Sequence, residues 1–218
     1  MHWRLYCVKK SVRTRIDQED PHALAQLLSE QPLLSNTPIA FGPANQQRCL
    51  PLHYVCDAVF EGSISATAGL ELAECLIKYG ALVNGDPEVQ LDTPLISAAS
   101  LYCEDIGLAL LGHGAVVHPR GTHGGTAVHW AAWTGSAKLL DAMLQLDPPL
   151  EDQSNKFKAT PLEWAIDGAT TGKSRNHRQQ DLCIRLLRRA GAQVYDWPER
   201  ISHSSYPALH AALRGNSY

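Results

Sequence analysis

Apolar residues along this chain recur at helical spacing. In DPHALAQLLSEQPLLSN (20–36), Leu24, Leu27 and Leu28 fall at i, i+3 and i+4, one face of a helix. Four later amphipathic segments each run toward a turn, glycine-bearing in three of them: CLIKYGALVN (75–84), LALLGHGAVVH (108–118), DAMLQLDPPLE (141–151) and CIRLLRRAGAQV (183–194). A short apolar segment precedes each one: LPLHYVCDAV from Leu50, TPLISAASLY from Thr93, TAVHWAAWTG from Thr126 and TPLEWAIDGA from Thr160. The three threonines are 33 and 34 residues apart, and Leu50 lies 43 residues before Thr93. β-branched runs are scarce and Ala and Leu abundant, so the pattern predicts pairs of short helices in series.

The residue chemistry fits that pattern. A threonine hydroxyl caps free N–H groups at a helix start, and proline in the first turn loses no hydrogen bond. Ala98–Ala99 and Ala131–Ala132 permit close helix approach. Gly80, Gly114 and Gly191 suit left-handed helix ends, with Asp147 in the corresponding place of the third pair. From Thr93 to Gly114, and from Thr126 to Asp147, is 21 residues, against 30 from Leu50 to Gly80 and 31 from Thr160 to Gly191. The two longer pairs therefore carry inserts, placed at 59–69 and 168–180.

A period near 33 residues carrying T-P-L-H-x-A resembles the ankyrin repeat. The resemblance implies an all-α fold, an ankyrin-repeat solenoid of stacked helix-turn-helix units with short β-hairpin-like finger loops. It implies one domain over 1–218: a degenerate N-terminal cap repeat at 1–48, repeats at 49–91, 92–124, 125–158 and 159–196, and a partial C-terminal cap repeat at 197–218. Proteins of this kind bind other proteins through the fingers and the inner-helix face. Carried over by position, the exposed inner-helix pairs are Asp57–Ala58, Ser100–Leu101, Trp133–Thr134 and Asp167–Gly168. Trp133 is either an exposed anchor for a partner or packed on a neighbouring finger. The fingers HPRGTHGG (118–125) and EDQSNKFK (151–158) would project Arg120, His123, Lys156, Phe157 and Lys158, a combination suited to an acidic partner with an apolar pocket. Tyr54, Trp130 and Trp164 recur in register at the x of the motif, which reads as stacking between repeats, and His129 is the motif histidine, expected to hydrogen-bond in the finger.

Charge and composition narrow the rest. A formal net charge of −3 over 218 residues gives no general attraction to nucleic acid or membrane. Lys173, Arg175, His177, Arg178, Arg185, Arg188 and Arg189 form a local basic cluster, but no aromatic platform or groove-reading helix accompanies it. No signal-like or membrane-length apolar run is present, so a monomeric cytoplasmic protein is expected. Six scattered cysteines without C-x-x-C read as reduced, mostly buried thiols. GATTGKS (168–174) is one residue short of a phosphate-binding G-x-x-x-x-G-K-[ST], with Asp167 where the first glycine belongs and no β-strand before it. His113, His118, His123 and His129 invite a metal, yet three sit at ordinary turn and motif positions. No spacing of a catalytic site is found, so the reading is a non-catalytic protein-binding module without cofactor or metal. The alternatives are an inhibitor or immunity-type protein that blocks an enzyme or toxin, and a metal- or nucleotide-binding protein. On this register Gly114→Val should destabilise the fold and Arg120→Ala should not.

Overall fold

The computed structural model describes residues 12–153, 155–170 and 179–193, and the fold is mostly helical. Two compact units divide it, residues 1–116 and 117–218, with the boundary inside the repeat expected at 92–124. Residues 1–11, most of the 168–180 insert and the expected cap at 197–218 lie outside the described residues.

In the first unit, α1 (residues 12–17) is followed by α2 (Pro21–Glu30), which starts where the Asp20 carboxylate accepts the Ala23 N–H at 2.8 Å. Leu24 and Leu28 of α2 are fully buried, and Leu27 is half-buried. An antiparallel hairpin, β1 (Ile39–Phe41) and β2 (Gln47–Cys49), turns around Gly42 with Ile39 opposite Cys49 and Phe41 opposite Gln47. It is the one strand pair among the described residues. Two helix pairs follow, α3 (Pro51–Glu61) with α4 (Ala66–Lys78), and α5 (Pro94–Ser100) with α6 (Glu104–Gly112). The first helix of each pair packs on the next first helix, α3 on α5, while α2, α4 and α6 pack in sequence as a second row. The insert expected at 59–69 is largely helical, because α3 runs to Glu61 and α4 begins at Ala66.

The second unit has α7 (Ala127–Thr134) with α8 (Ala137–Leu144), and α9 (Pro161–Thr170) with α10 (Gln180–Arg189). Here α7 packs on α9 and α8 on α10. Ala131, Ala132, Leu139, Leu140, Met143 and Leu187 have no exposure, and in the first unit Ala98 and Ala99 have none either.

The turns after the second helices repeat in detail. Gly80, Gly114 and Gly191 have φ of +88°, +86° and +103°, and the following Ala81, Ala115 and Ala192 N–H groups return to the last helical turn at 2.9–3.0 Å. Asp147 takes the same left-handed conformation, φ +51°. Two residues after each glycine, a backbone N–H is held by a side chain from the preceding turn: Leu82 by Asn36 at 2.8 Å, Val116 by Asn84 at 2.9 Å, Gln193 by Glu151 at 2.7 Å. The residue two after Asp147 is Pro149, which has no N–H to give.

Buried histidines join the starts of two helices to the next loop. His53 Nε2 lies 2.7 Å from the Asp92 carbonyl, and His129 Nε2 lies 3.0 Å from that of Asp152. His129 Nδ1 meets the Thr126 N–H at 3.2 Å, closing a capping box. Burial pushes both imidazoles below their ordinary pKa, which keeps them neutral. Among the described residues no helix is long and apolar enough to cross a membrane.

Asp147→Gly is expected to raise stability by about 1 kcal/mol, the order of the left-handed penalty for a residue with a Cβ. Urea denaturation measures it, and an unchanged midpoint would mean that the aspartate stabilises the turn by another route.

Candidate functional site

Side chains of the second unit enclose a cavity of about 420 Å³, lined by Trp130, Trp133, Phe157, Ala159, Glu163, Trp164 and Asp167. Two helices and one finger build it. Helix α7 supplies Trp130 and Trp133, one turn apart; α9 supplies Glu163, Trp164 and Asp167; the finger before α9 supplies Phe157 and Ala159. The rings meet edge to face. Trp130 lies 5.1 Å from Trp164 at 84° and 6.0 Å from Trp133 at 90°, and Phe157 lies 5.4 Å from Trp164 at 72°.

The close approach of α7 and α9 depends on Gly168. A Cβ there would stand 2.2 Å from the Trp133 carbonyl oxygen. Gly125 makes similar room for the Trp164 ring, whose nearest carbon would be 3.0 Å from a Cβ. The first glycine of GATTGKS thus belongs to a helix contact: 168–170 are the end of α9, and the insert expected from 168 begins beyond them.

Polar side chains fix the lining. The Thr160 N–H donates to Glu163 Oε2 at 2.6 Å while the Glu163 N–H donates to Thr160 Oγ1 at 3.2 Å, a reciprocal cap at the start of α9. Trp133 Nε1–H donates to Asp167 Oδ2 at 2.9 Å. In the finger, buried Asn155 accepts the Phe157 and Ala159 N–H groups and donates to the Ala159 carbonyl, and the Lys156 N–H donates to the His123 carbonyl at 2.9 Å. Phe157, 59 % exposed, is therefore held out by a bonded loop.

Of the residues expected to meet a partner, Trp133, Phe157 and Asp167 come together in this cavity. Trp133 is half-exposed, lines the cavity and packs on Trp130 and α9. His123 adjoins it, 5.9 Å from Trp130 and 6.2 Å from Phe157. Lys156 and Lys158 are exposed on either side of Phe157. Thr134 is a correction: expected at an exposed position, it is fully buried, because its hydroxyl lies 2.9 Å from that of buried Ser136 in the turn between α7 and α8. Ala58 and Gly168 are buried too. Arg120 is a second correction. Expected to project freely, it pairs with the buried Asp152 carboxylate at 2.7 Å and donates to the Gly124 carbonyl at 3.1 Å, so Arg120→Ala leaves a buried acid without this counter-charge and is not neutral.

Ser100, Leu101 and Asp57 belong to the first unit and are half-buried. Burial, aided by the Glu61 carboxylate, pushes the Asp57 carboxyl up to about 6. Of the basic cluster, Arg185 pairs with Asp181 at 3.1 Å and Arg188 donates to the Ala192 carbonyl at 2.6 Å; Lys173, Arg175, His177 and Arg178 lie outside the described residues. Among the described residues, no group of three His, Cys, Asp or Glu side chains could hold a metal. Sequence reasoning missed Glu163, Asn155 and the cavity role of Trp130 and Trp164. The Thr-x-x-Glu spacing of Thr160 and Glu163 was the available signal for the first.

Gly168→Ala should cost about 1–3 kcal/mol through overpacking against the Trp133 carbonyl, read as a lowered urea midpoint; a neutral result would show that α7 and α9 separate freely. Because the folded Asp57 carboxyl binds its proton more tightly than the ordinary 3.8, its contribution to stability falls as pH rises from about 4 to about 6. Asp57→Asn should therefore gain on the wild type across that window and hold the gain above it, measured as paired denaturation midpoints. Compared with protein-family models and with curated protein sequences, the chain matches none.

Proposed function

We propose that the chain is an ankyrin-repeat solenoid acting, without catalysis, as a protein-binding module that seats its partner on the aromatic cavity of the second unit. The repeat reading is supported by the registered segments, the recurring left-handed turns and the side-chain bonds to Leu82, Val116 and Gln193. Buried free thiols at Cys49, Cys56, Cys103 and Cys183 suit a reducing compartment such as the cytoplasm.

One observation carries the binding reading: three indoles and a phenyl ring gather around one open space, and the phenyl is more than half exposed. Large rings in contact with water lose the stabilisation of burial, whereas on a partner they supply wide, rigid contact at small entropic cost. Hydrogen bonds within the scaffold hold Trp133 and Phe157 before a partner arrives, so little ordering opposes association. The lining carries carboxylates and the flank carries lysines, so the earlier expectation of an acidic partner applies to the flank alone.

Affinity capture should retain a partner on the wild type and lose it, by tenfold or more, on a Trp133→Ala, Phe157→Ala double variant whose helicity is unchanged. Equal retention by both would move the binding surface away from the cavity.

A further inference from the structure

We propose that Cys56 and Cys103 of the first unit are a redox pair, two thiols that peroxide joins into a disulfide clasping α3 to the start of α6. The inference is independent of the aromatic cavity and of the protein-binding reading.

The fold brings the two residues together from 47 positions apart. Cys56 lies in the middle of α3, and Cys103 stands immediately before α6 in the turn that leads from α5. The Cys103 Sγ lies 3.6 Å from the Cys56 carbonyl oxygen, and the two thiols are hydrogen-bond partners. One turn further along each helix the same approach is seen. A Cβ at Gly69 of α4 would meet Val55 and Val59 of α3 and Ile106 of α6, so the missing side chain lets these helices converge beside the thiols. Cys49 also acts on Cys56, but through charge alone, whereas Cys103 both bonds to it and acts by charge. Cys103 is therefore the partner that the packing selects.

Burial decides how the pair reacts. Cys56 has no exposure and Cys103 has 5 %, which favours a small oxidant and makes Cys103 the sulfur that meets it first. Hydrogen peroxide fits that requirement. The Cys103 sulfur attacks one peroxide oxygen, the O–O bond breaks, and hydroxide leaves with the thiol proton as water, giving a sulfenic acid. The Cys56 sulfur then attacks the sulfenic sulfur, the S–O bond breaks, and hydroxide leaves with the Cys56 proton as a second water. Two thiols are oxidised and one peroxide is reduced. The Cys103 bond and burial hold the Cys56 thiol well above its ordinary pKa, so its thiolate is scarce and the second step is slow at neutral pH. Such a pair answers sustained oxidation rather than a brief pulse. Once formed, the link restricts the unfolded chain far more than the native one, whose thiols already adjoin, and the oxidised first unit is the more stable form.

The test uses the full chain, reduced, freed of reductant and treated with hydrogen peroxide under native conditions, beside Cys103→Ala and Cys49→Ala variants of unchanged helicity. Intact masses after thiol alkylation and fragment-ion maps identify the product. Wild type and Cys49→Ala should lose the mass of two hydrogen atoms and show a Cys56–Cys103 link that dithiothreitol reverses. The oxidised wild type should unfold at a higher urea midpoint than the reduced protein, a rise that peroxide does not produce in Cys103→Ala. In urea beyond the unfolding midpoint the link should form at least about tenfold more slowly, because unfolding removes the proximity. Four results would overturn the proposal: Cys103 linked to any other cysteine, sulfinic acids at both sulfurs without a link, equal rates in native and unfolded chains, or thiols left intact by a dose that oxidises free glutathione. A link without a rise in midpoint would remove the clasp.

Discussion

A pair of eight-residue helices cannot cover both of its own apolar faces, and the architecture of each unit follows from that shortfall. The uncovered face of α7 must lie against α9, and that of α8 against α10. Close packing then limits what may stand between the helices: Ala131 and Ala132 on α7, and at the tightest point Gly168 on α9. Tryptophan cannot enter such a contact. Trp130 and Trp133 are displaced toward the open side of the α7–α9 layer, where Trp164 and Phe157 meet them, and the cavity is the space that these rings fail to fill.

The starts of the same helices, and the finger beside them, are governed by buried polar groups. His129 is neutral and spans from the Thr126 cap to the Asp152 carbonyl, Asp152 holds Arg120, and Asn155 closes the finger around the Phe157 N–H. A buried network of this kind gains its stability from completeness, since a missing partner exposes the desolvation cost of those that remain. The finger is consequently ordered by its interior, and its tip is left to Phe157 and the two lysines.

Much of this was legible in the sequence because it is local. Helix pairs, threonine caps, proline at the first turn and left-handed glycines each depend on a few neighbouring residues, and the place of Asp147 could be counted from Thr126. The cavity was less legible, since it depends on which rings meet across helices thirty residues apart. Trp130 and Trp164 occupy the same motif position and read as equivalent, yet Trp164 is 5 % exposed and Trp130 half-buried, because Phe157 covers the former. Arg120 and Thr134 failed for one reason: a polar residue in a turn looks solvated until a buried partner, Asp152 or Ser136, is brought beside it. The insert at 59–69 could be counted but its conformation could not, and its residues largely extend α3 and α4 as helix.

The cap at the start of α9 ties folding to recognition. Glu163 closes the first turn with Thr160 and also forms part of the cavity wall, so one side chain answers to two demands. Most replacements that would alter the electrical character of the pocket would also loosen the helix on which the pocket stands. A descendant of this protein seeking a new ligand could reshape the rings by many replacements, but could discharge this wall and keep the helix start by one alone, glutamine.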